Sequence, residues 1–327
     1  MCTTDFLHTT ARNNNISDLE NMLMEFPDLI DIPNDNSRTL MYTAARSGHV
    51  SVIELLIRLG STSIDTPDKC GFTPMHIAAS YGHVLVIELL VRLGSTTIDT
   101  PNDIDITPMY AAAENGHVSV IETLVQLGST AIDTPDTNGS TPLFIAAWNG
   151  HVSIIETLVR LGSTAINTSN KNKLTPIYVA AMKGHSSVIE TLVRLGSTGI
   201  DTSTKRGLTP MHVAALNKRR SVIETLVRLG STSIDTLDVH GKSPLHITLL
   251  LHNLRCIDTL KILGANLSIV SSDLLSQEDR DLLHAPIDET ESAITRYYVY
   301  FHQSLVSRLL FQLAVIKQSF PFYSSFI

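Results

Sequence analysis

The sequence predicts an all-α solenoid of helix-turn-helix units joined by short β-turn fingers, with a C-terminal helical segment. Three observations predict it. A short pattern returns every 34 residues, from Thr39 to Ser243. Each return opens with a residue pair suited to a helix start. Each is followed by a second stretch whose apolar residues share one helical face. A fixed period of this length is the signature of a repeat array rather than of two ordinary domains.

The pattern reads Thr73-Pro74-Met75-His76-Ile77-Ala78-Ala79. It recurs from Thr107, Thr141, Thr175, Thr209 and Ser243, and upstream Thr39-Leu40-Met41-Tyr42 is in phase. One step further back lies Asp5-Phe6-Leu7-His8, so eight units cover about Asp5 to Leu267.

Each element has a local reason. Thr73 can cap a helix, and Pro74 suits the first helical position, where its missing N–H costs nothing. Met75, Ala78 and Ala79 make a short helix with small packing residues, and Gly82 suits the left-handed residue that ends it. The second helix runs from Val84 to Leu93, with Val86, Ile87, Leu90, Val91 and Leu93 on a broad apolar face. Glu88 and Arg92 stand four apart on its exposed side, a spacing that predicts an ion pair within the helix. The spacing recurs as Glu54–Arg58, Glu156–Arg160, Glu190–Arg194 and Glu224–Arg228. Gly94 closes the helix, and a polar extended turn leads to the next Thr-Pro. No unit of this size buries such a face alone, so stacking must form a continuous core.

This arrangement resembles the ankyrin repeat. The resemblance rests on the Thr-Pro-x-His pattern, on the Gly-His pairs at 48–49, 82–83, 116–117, 150–151 and 184–185, and on Leu-x-x-Leu-Gly at each second-helix end. One departure is regular. Gly94-Ser95-Thr96-Thr97-Ile98-Asp99 is one residue longer than the family's usual Gly-Ala-Asp-Val-Asn, and the extra residue is expected in the loop before each finger. In the near-identity of its units the chain is similar to ankyrin proteins of intracellular bacteria or protists, some of which act inside a host.

The ends differ from the middle. Residues 1–38 read as an N-terminal capping repeat, 39–267 as the ankyrin repeats and 268–327 as a C-terminal helical cap or extension. Ser276-Gln277-Glu278-Asp279 looks like a helix start. A longer helix is expected from about Glu289 to Lys317, striped by Ile294, Tyr298, Phe301, Leu305, Leu309, Leu313 and Ile316. It reads first as a cap on the last unit. The second reading is an amphipathic helix that recruits other machinery or touches a membrane.

Composition limits the remaining functions. The 327-residue chain carries a net charge of −8 and is 43% hydrophobic, which excludes a disordered chain and argues against a general nucleic-acid binder. Its three cysteines are scattered, which fits neither a disulfide framework nor zinc, and suggests a reducing compartment such as the cytoplasm. No secretory leader and no membrane span is expected.

No catalytic chemistry is legible. The 13 histidines fall mostly on repeat slots, His49, His83, His117, His151 and His185 in one and His76, His212 and His246 in another. Residues one unit apart are strung out rather than gathered, so hydrogen bonds that tie turns together are the expected role. Asp65, Asp99, Asp133, Asp201 and Asp235 form a similar ladder, read as turn-stabilising. No phosphate-binding loop, zinc-protease, nucleophile-elbow or kinase motif is present. No cofactor or metal is expected, and the chain reads as a non-enzymatic scaffold.

Information lies where the repeat varies. The resemblance implies a concave binding face built from the fingers and the exposed edge of each first helix. Carried over slot by slot, it includes Phe72 and Tyr81, Ile104 and Ile106, Trp148, and Lys171, Leu174, Met182 and Lys183. Lys205 and Arg206 continue it. Apolar residues there are costly on an ordinary surface, and aromatic side chains serve as interface anchors. Trp148, the sole tryptophan, reads either as an anchor or as packing. From Asn170 to Arg220 nine Lys or Arg stand against two acidic residues, a local +7. That cluster reads either as a solvated patch or as a site for an acidic protein segment. Nucleic acid is disfavoured because no aromatic stacking array accompanies the charge. The expected partner is a protein.

Overall fold

A computed structural model describes residues 2–270 and 276–284. The helix expected between Glu289 and Lys317 lies outside the described residues.

The first unit holds α1 (Cys2–Arg12) and α2 (Ile16–Glu25), and the second holds α3 (Leu40–Ser47) and α4 (Val50–Arg58). Next come α5 (Pro74–Tyr81) with α6 (Val84–Arg92), and α7 (Pro108–Asn115) with α8 (Val118–Gln126). They are followed by α9 (Pro142–Asn149) with α10 (Val152–Arg160), and α11 (Pro176–Lys183) with α12 (Ser186–Arg194). The last two units hold α13 (Pro210–Leu216) with α14 (Arg220–Arg228), and α15 (Pro244–Leu250) with α16 (Leu254–Ile262). A further helix, α17 (Gln277–His284), packs against α15. Among the described residues there is no strand.

Odd-numbered helices stack on odd and even on even, so the units form two parallel layers. The core runs unbroken between them, from Leu7 and Leu19 through Met75, Ile87, Met109 and Ile121 to Ile257 and Leu260. This is the continuous solenoid core that the period predicts.

The caps follow the sequence reading. Thr39 Oγ1 accepts from Tyr42 N at 3.2 Å and Thr107 Oγ1 from Tyr110 N at 3.2 Å. Ser276 and Asp279 exchange reciprocal bonds, each backbone N–H donating to the other's side chain at 3.1 Å, which starts α17 as expected. Gly82 ends α5 at φ +79°, and a Cβ there would sit 2.8 Å from the His117 ring. Glycine is thus required twice, for its backbone and for the close approach of the next unit.

Three ladders of hydrogen bonds cross the joints. In the first, each histidine of the Gly-His slot reaches back to the preceding unit. His49, His83, His117, His151 and His185 donate through Nε2 to the carbonyls of Arg12, Arg46, Ser80, Glu114 and Trp148, at 2.8–3.1 Å.

In the second, aspartates of the Ile-Asp slot accept from the Ser-Thr pair of the next unit, except Asp235, which accepts from Asn266 N at 2.8 Å. Asp99 accepts from Ser129 Oγ at 2.5 Å, Thr130 N at 2.8 Å and Thr130 Oγ1 at 3.0 Å. Asp65, Asp133 and Asp201 repeat the set. Burial alone would raise the Asp201 pKa. The bonds from Ser231 and Thr232 outweigh it, so the carboxyl is held below its ordinary value. The segment that is one residue longer than the family pattern therefore carries the joint.

In the third, His76 Nδ1 accepts from Thr73 N at 3.2 Å, which places the ring proton on Nε2, 2.9 Å from the Ile106 carbonyl. His212 binds Thr209 N and the Lys242 carbonyl in the same way.

The charges on the exposed faces of the even-numbered helices pair differently from expectation. Glu and Arg four apart do not meet within the helix. Arg58 pairs with Glu20 at 2.7 Å, Arg92 with Glu54 at 3.8 Å and Arg160 with Glu122 at 2.6 Å, each one unit back. Arg194 reaches Glu156 at 2.5 Å, and Arg228 meets Glu190. The reason is register: even helices stack side by side, and the long guanidinium reaches the neighbouring helix. Among the described residues the one i,i+4 ion pair is Arg220–Glu224, at 2.9 Å.

Candidate protein-interaction surface

The fingers are turns braced by one side chain each. Asp68 Oδ1 accepts from Cys70 N and Phe72 N at 3.0 and 3.2 Å. Asn102, Asp136, Asn170 and Asp238 do the same in later fingers. Neighbouring fingers are joined by a single backbone bond. Asp103 N donates to the Cys70 carbonyl, Thr137 N to Ile104, Lys171 N to Asn138 and Val239 N to Arg206. The fingers therefore stand in a row beside the odd-numbered helices.

On this row Ile104 is a fingertip residue, 51% exposed. Ile106 is half-buried, with its carbonyl held by His76. Phe72 is half-buried and meets the His76 ring edge to face at 5.8 Å. Tyr81, at the end of α5, is 46% exposed. Arg46 lies 5.3 Å from the Tyr81 ring centre and donates from Nε to its hydroxyl at 3.1 Å, while His83 stacks on it at 6.3 Å. The sequence reading missed Arg46. A pairing 35 residues apart, one unit plus one residue, could have found it.

Trp148 is partly buried and packs against the core cluster. Its ring is half-buried at the end of α9, and Lys183 Nζ sits 4.1 Å above it. This is a cation–π contact. The structure thus joins Trp148 to Lys183 and gives Tyr81 an equivalent cation in Arg46.

Two expected surface residues are not on the surface. Met182 is 6% exposed and Leu174 is 8% exposed. The slot of Leu174 is also buried one unit earlier, where it holds Ser140, whereas the slot of Met182 holds the half-buried Trp148; Leu174 and Met182 both belong to the core. The Met182 contribution is its carbonyl, which accepts from Arg219 Nε at 3.4 Å.

The basic residues are spread along the same side. Lys171, Lys205 and Arg206 are exposed, and Lys183 is half-buried against Trp148. Arg219 occupies the histidine slot and keeps the tie to the preceding unit, because its longer side chain reaches the same carbonyl slot. Lys218 holds the glycine slot at φ +60°. It is tolerated because the facing slot in the next unit is Asn253, which caps its own helix by accepting from Cys256 N instead of pressing a ring against position 218.

Glu114 lies beside this row. Burial, and then the Asp136 carboxylate, raise its pKa. Tyr110 donates to Asp136 Oδ2 at 3.3 Å. These groups serve the joint between units: the Glu114 carbonyl accepts from both His151 and Asn149. Among the described residues no three His, Cys, Asp or Glu side chains converge on a point. None of the described helices is long and apolar enough to cross a membrane.

A family model for ankyrin repeats matches in three copies, over residues 7–102, 93–170 and 161–236. Among solved structures, the crystal structure of the human ASB11 ankyrin repeat domain matches at 27% identity with a TM-score of 0.57. The match covers 69% of this chain and 97% of that one. No curated protein matches in sequence.

Proposed function

Because the chain belongs to the ankyrin-repeat family, whose repeats generally serve protein–protein interaction, we propose that it is a non-catalytic scaffold. In this reading a partner protein docks on the face of fingers and first-helix ends. One observation carries it: the units repeat nearly letter for letter on their even helices, and differ from one another on this face. There the sequence places residues that are costly to leave in water, Ile104 and Tyr81, and the clamped ring of Trp148. Phe72 and Ile106 line the base of the same row. Lys171, Lys183, Lys205 and Arg206 lend it positive charge, which favours an acidic partner segment in a chain that is acidic overall. The scattered cysteines, of which Cys70 and Cys256 stand unpaired, favour a cytoplasmic setting.

The test is affinity capture with the intact chain beside Trp148→Ala and Ile104→Asp variants of unchanged thermal stability. The proposal expects one set of captured proteins to be lost in both variants and kept in Leu85→Asp, which alters an exposed apolar residue on α6. Capture insensitive to positions 104 and 148 would reject this face.

A further inference from the structure

The row of fingers is interrupted once. Every neighbouring pair from Asn36–Lys69 to Arg206–Val239 shares a backbone hydrogen bond, except the pair around Asn172 and Lys205. There an open cleft of about 310 Å³ lies between the two fingers. Two lysines line it, Lys173 and Lys205, together with Asn167, and the other lining residues are all serines and threonines. No carboxylate lines it.

That lining departs from the repeat at three slots. Asn167 stands where neighbouring units carry Asp65, Asp99, Asp133 and Asp201. It keeps the bonds from Ser197 Oγ at 2.7 Å and Thr198 N at 3.1 Å. It does not take the threonine hydroxyl that Asp99 and Asp133 also bind, and Thr198 is among the residues that line the cleft. Thr204 stands where other fingers carry Asp or Asn. Its single side-chain bond, from Arg206 N, is long at 3.4 Å, which loosens the finger. Lys173 occupies a slot that four other fingers fill with Gly71, Gly139, Gly207 and Gly241 and two with Ser37 and Asp105, and it holds φ +62°. A non-glycine residue there costs about 1 kcal/mol. Neither Lys173 nor Lys205 has an ion-pair partner among the described residues.

We propose that this cleft binds a phosphate monoester carried by a phosphorylated segment of the docked partner. Two lysines among serines and threonines suit a tetrahedral dianion with several acceptor oxygens. A planar carboxylate is better served by the fork of a guanidinium, and none lines the cleft. The repeat carboxylate beside the lining residue Thr202, Asp201, is engaged by Ser231 and Thr232 of the next unit. Loss of the aspartate at position 167 removes the one repeat charge that would repel the ligand.

The source of the phosphate rests on the docking face proposed above; the chemistry of the cleft does not. The test titrates the full isotope-labelled chain with inorganic phosphate, with a phosphoserine peptide of otherwise neutral sequence, and with its glutamate counterpart, following backbone amide shifts. The expected result is shifts confined to residues 167–175 and 198–205. The phosphopeptide should bind tightest and the glutamate peptide about tenfold more weakly. Asn167→Asp restores the residue of the neighbouring units, so it should fold normally and yet weaken phosphate binding about tenfold. Lys173→Gln with Lys205→Gln should abolish binding. Equal binding of the glutamate peptide, shifts spread over all surface lysines, or an unaffected Asn167→Asp would overturn the proposal. Free phosphate binding more tightly than the phosphopeptide would overturn its source. The docking face is read separately at Ile104 and Trp148, outside the cleft, so the two readings fail independently.

Discussion

Replacing Asp99 tests whether side-chain bonds across joints hold the units together. The carboxylate accepts three bonds from the next unit, and Ser129, one of the donors, is 8% exposed. Asp99→Ala removes all three acceptor contacts. Bonds to a charged group are worth roughly 1.5–3 kcal/mol when buried, but the two from Thr130 are exposed and count for less. The expected loss is about 2–3 kcal/mol. Asp99→Asn should cost less, about 1 kcal/mol, because Asn167 shows that an amide keeps the serine and backbone bonds and gives up the threonine hydroxyl. The reverse change, Asn167→Asp, should gain about 1 kcal/mol. Urea denaturation followed by circular dichroism measures all three, with the slope as a check that the array still unfolds cooperatively. Equal losses for Asp99→Ala and Asp99→Asn, or no gain at position 167, would refute the bonding account of the joint.

Acid should weaken the array through its buried histidines. Burial pulls the His76 pKa down to about 4, below its unfolded value, so the folded state binds fewer protons. Stability is then complete above about pH 6.5 and falls on acidification toward pH 4, by up to about 3 kcal/mol from this residue. His76→Tyr, the residue of the neighbouring slots at 42 and 110, should flatten the pH dependence of the urea midpoint; an unchanged slope would count against it. Lys218→Gly should stabilise by about 0.5–1 kcal/mol, the relief of the left-handed backbone less the entropy of glycine, while Arg219→His should change little because Arg219 already ties to Met182. A thermal melt that reverses this order would contradict the geometry. A double-mutant cycle should find about 0.3–1 kcal/mol of coupling between Arg160 and Glu122, and none between Arg160 and Glu156.

Much of the fold was legible because repetition states each rule many times. Thr-Pro starts, glycine stops and apolar stripes recur, and the structure follows them unit by unit. What the sequence hid are distances between units. Glu156 and Arg160 lie on one helix face, so spacing within the helix suggests a pair; only the stacking of α10 on α8 and α12 shows that each side chain reaches a different neighbour. Met182 shows the same limit. Its slot is a surface slot for Trp148, and burial there depends on how closely the following unit packs, which no single unit encodes. Arg219 is a third case. A histidine replaced by arginine reads as a lost bond, yet the longer side chain places Nε within reach of the same carbonyl slot. The proposed interaction face was legible as variation against a constant background. Its cation–aromatic pairs and its cleft were not, because each is assembled from two units.

The central claim is that a partner docks on the row of fingers and first-helix ends. Its most direct test places a photo-crosslinking amino acid at Ile104 in the intact chain and, in a second sample, at Leu85 on the opposite layer; both residues are exposed. The account predicts a saturable crosslink to a defined partner from position 104, suppressed by Trp148→Ala, and none from position 85. A crosslink from position 85 of equal yield, or one from position 104 that Trp148→Ala leaves unchanged, would contradict it.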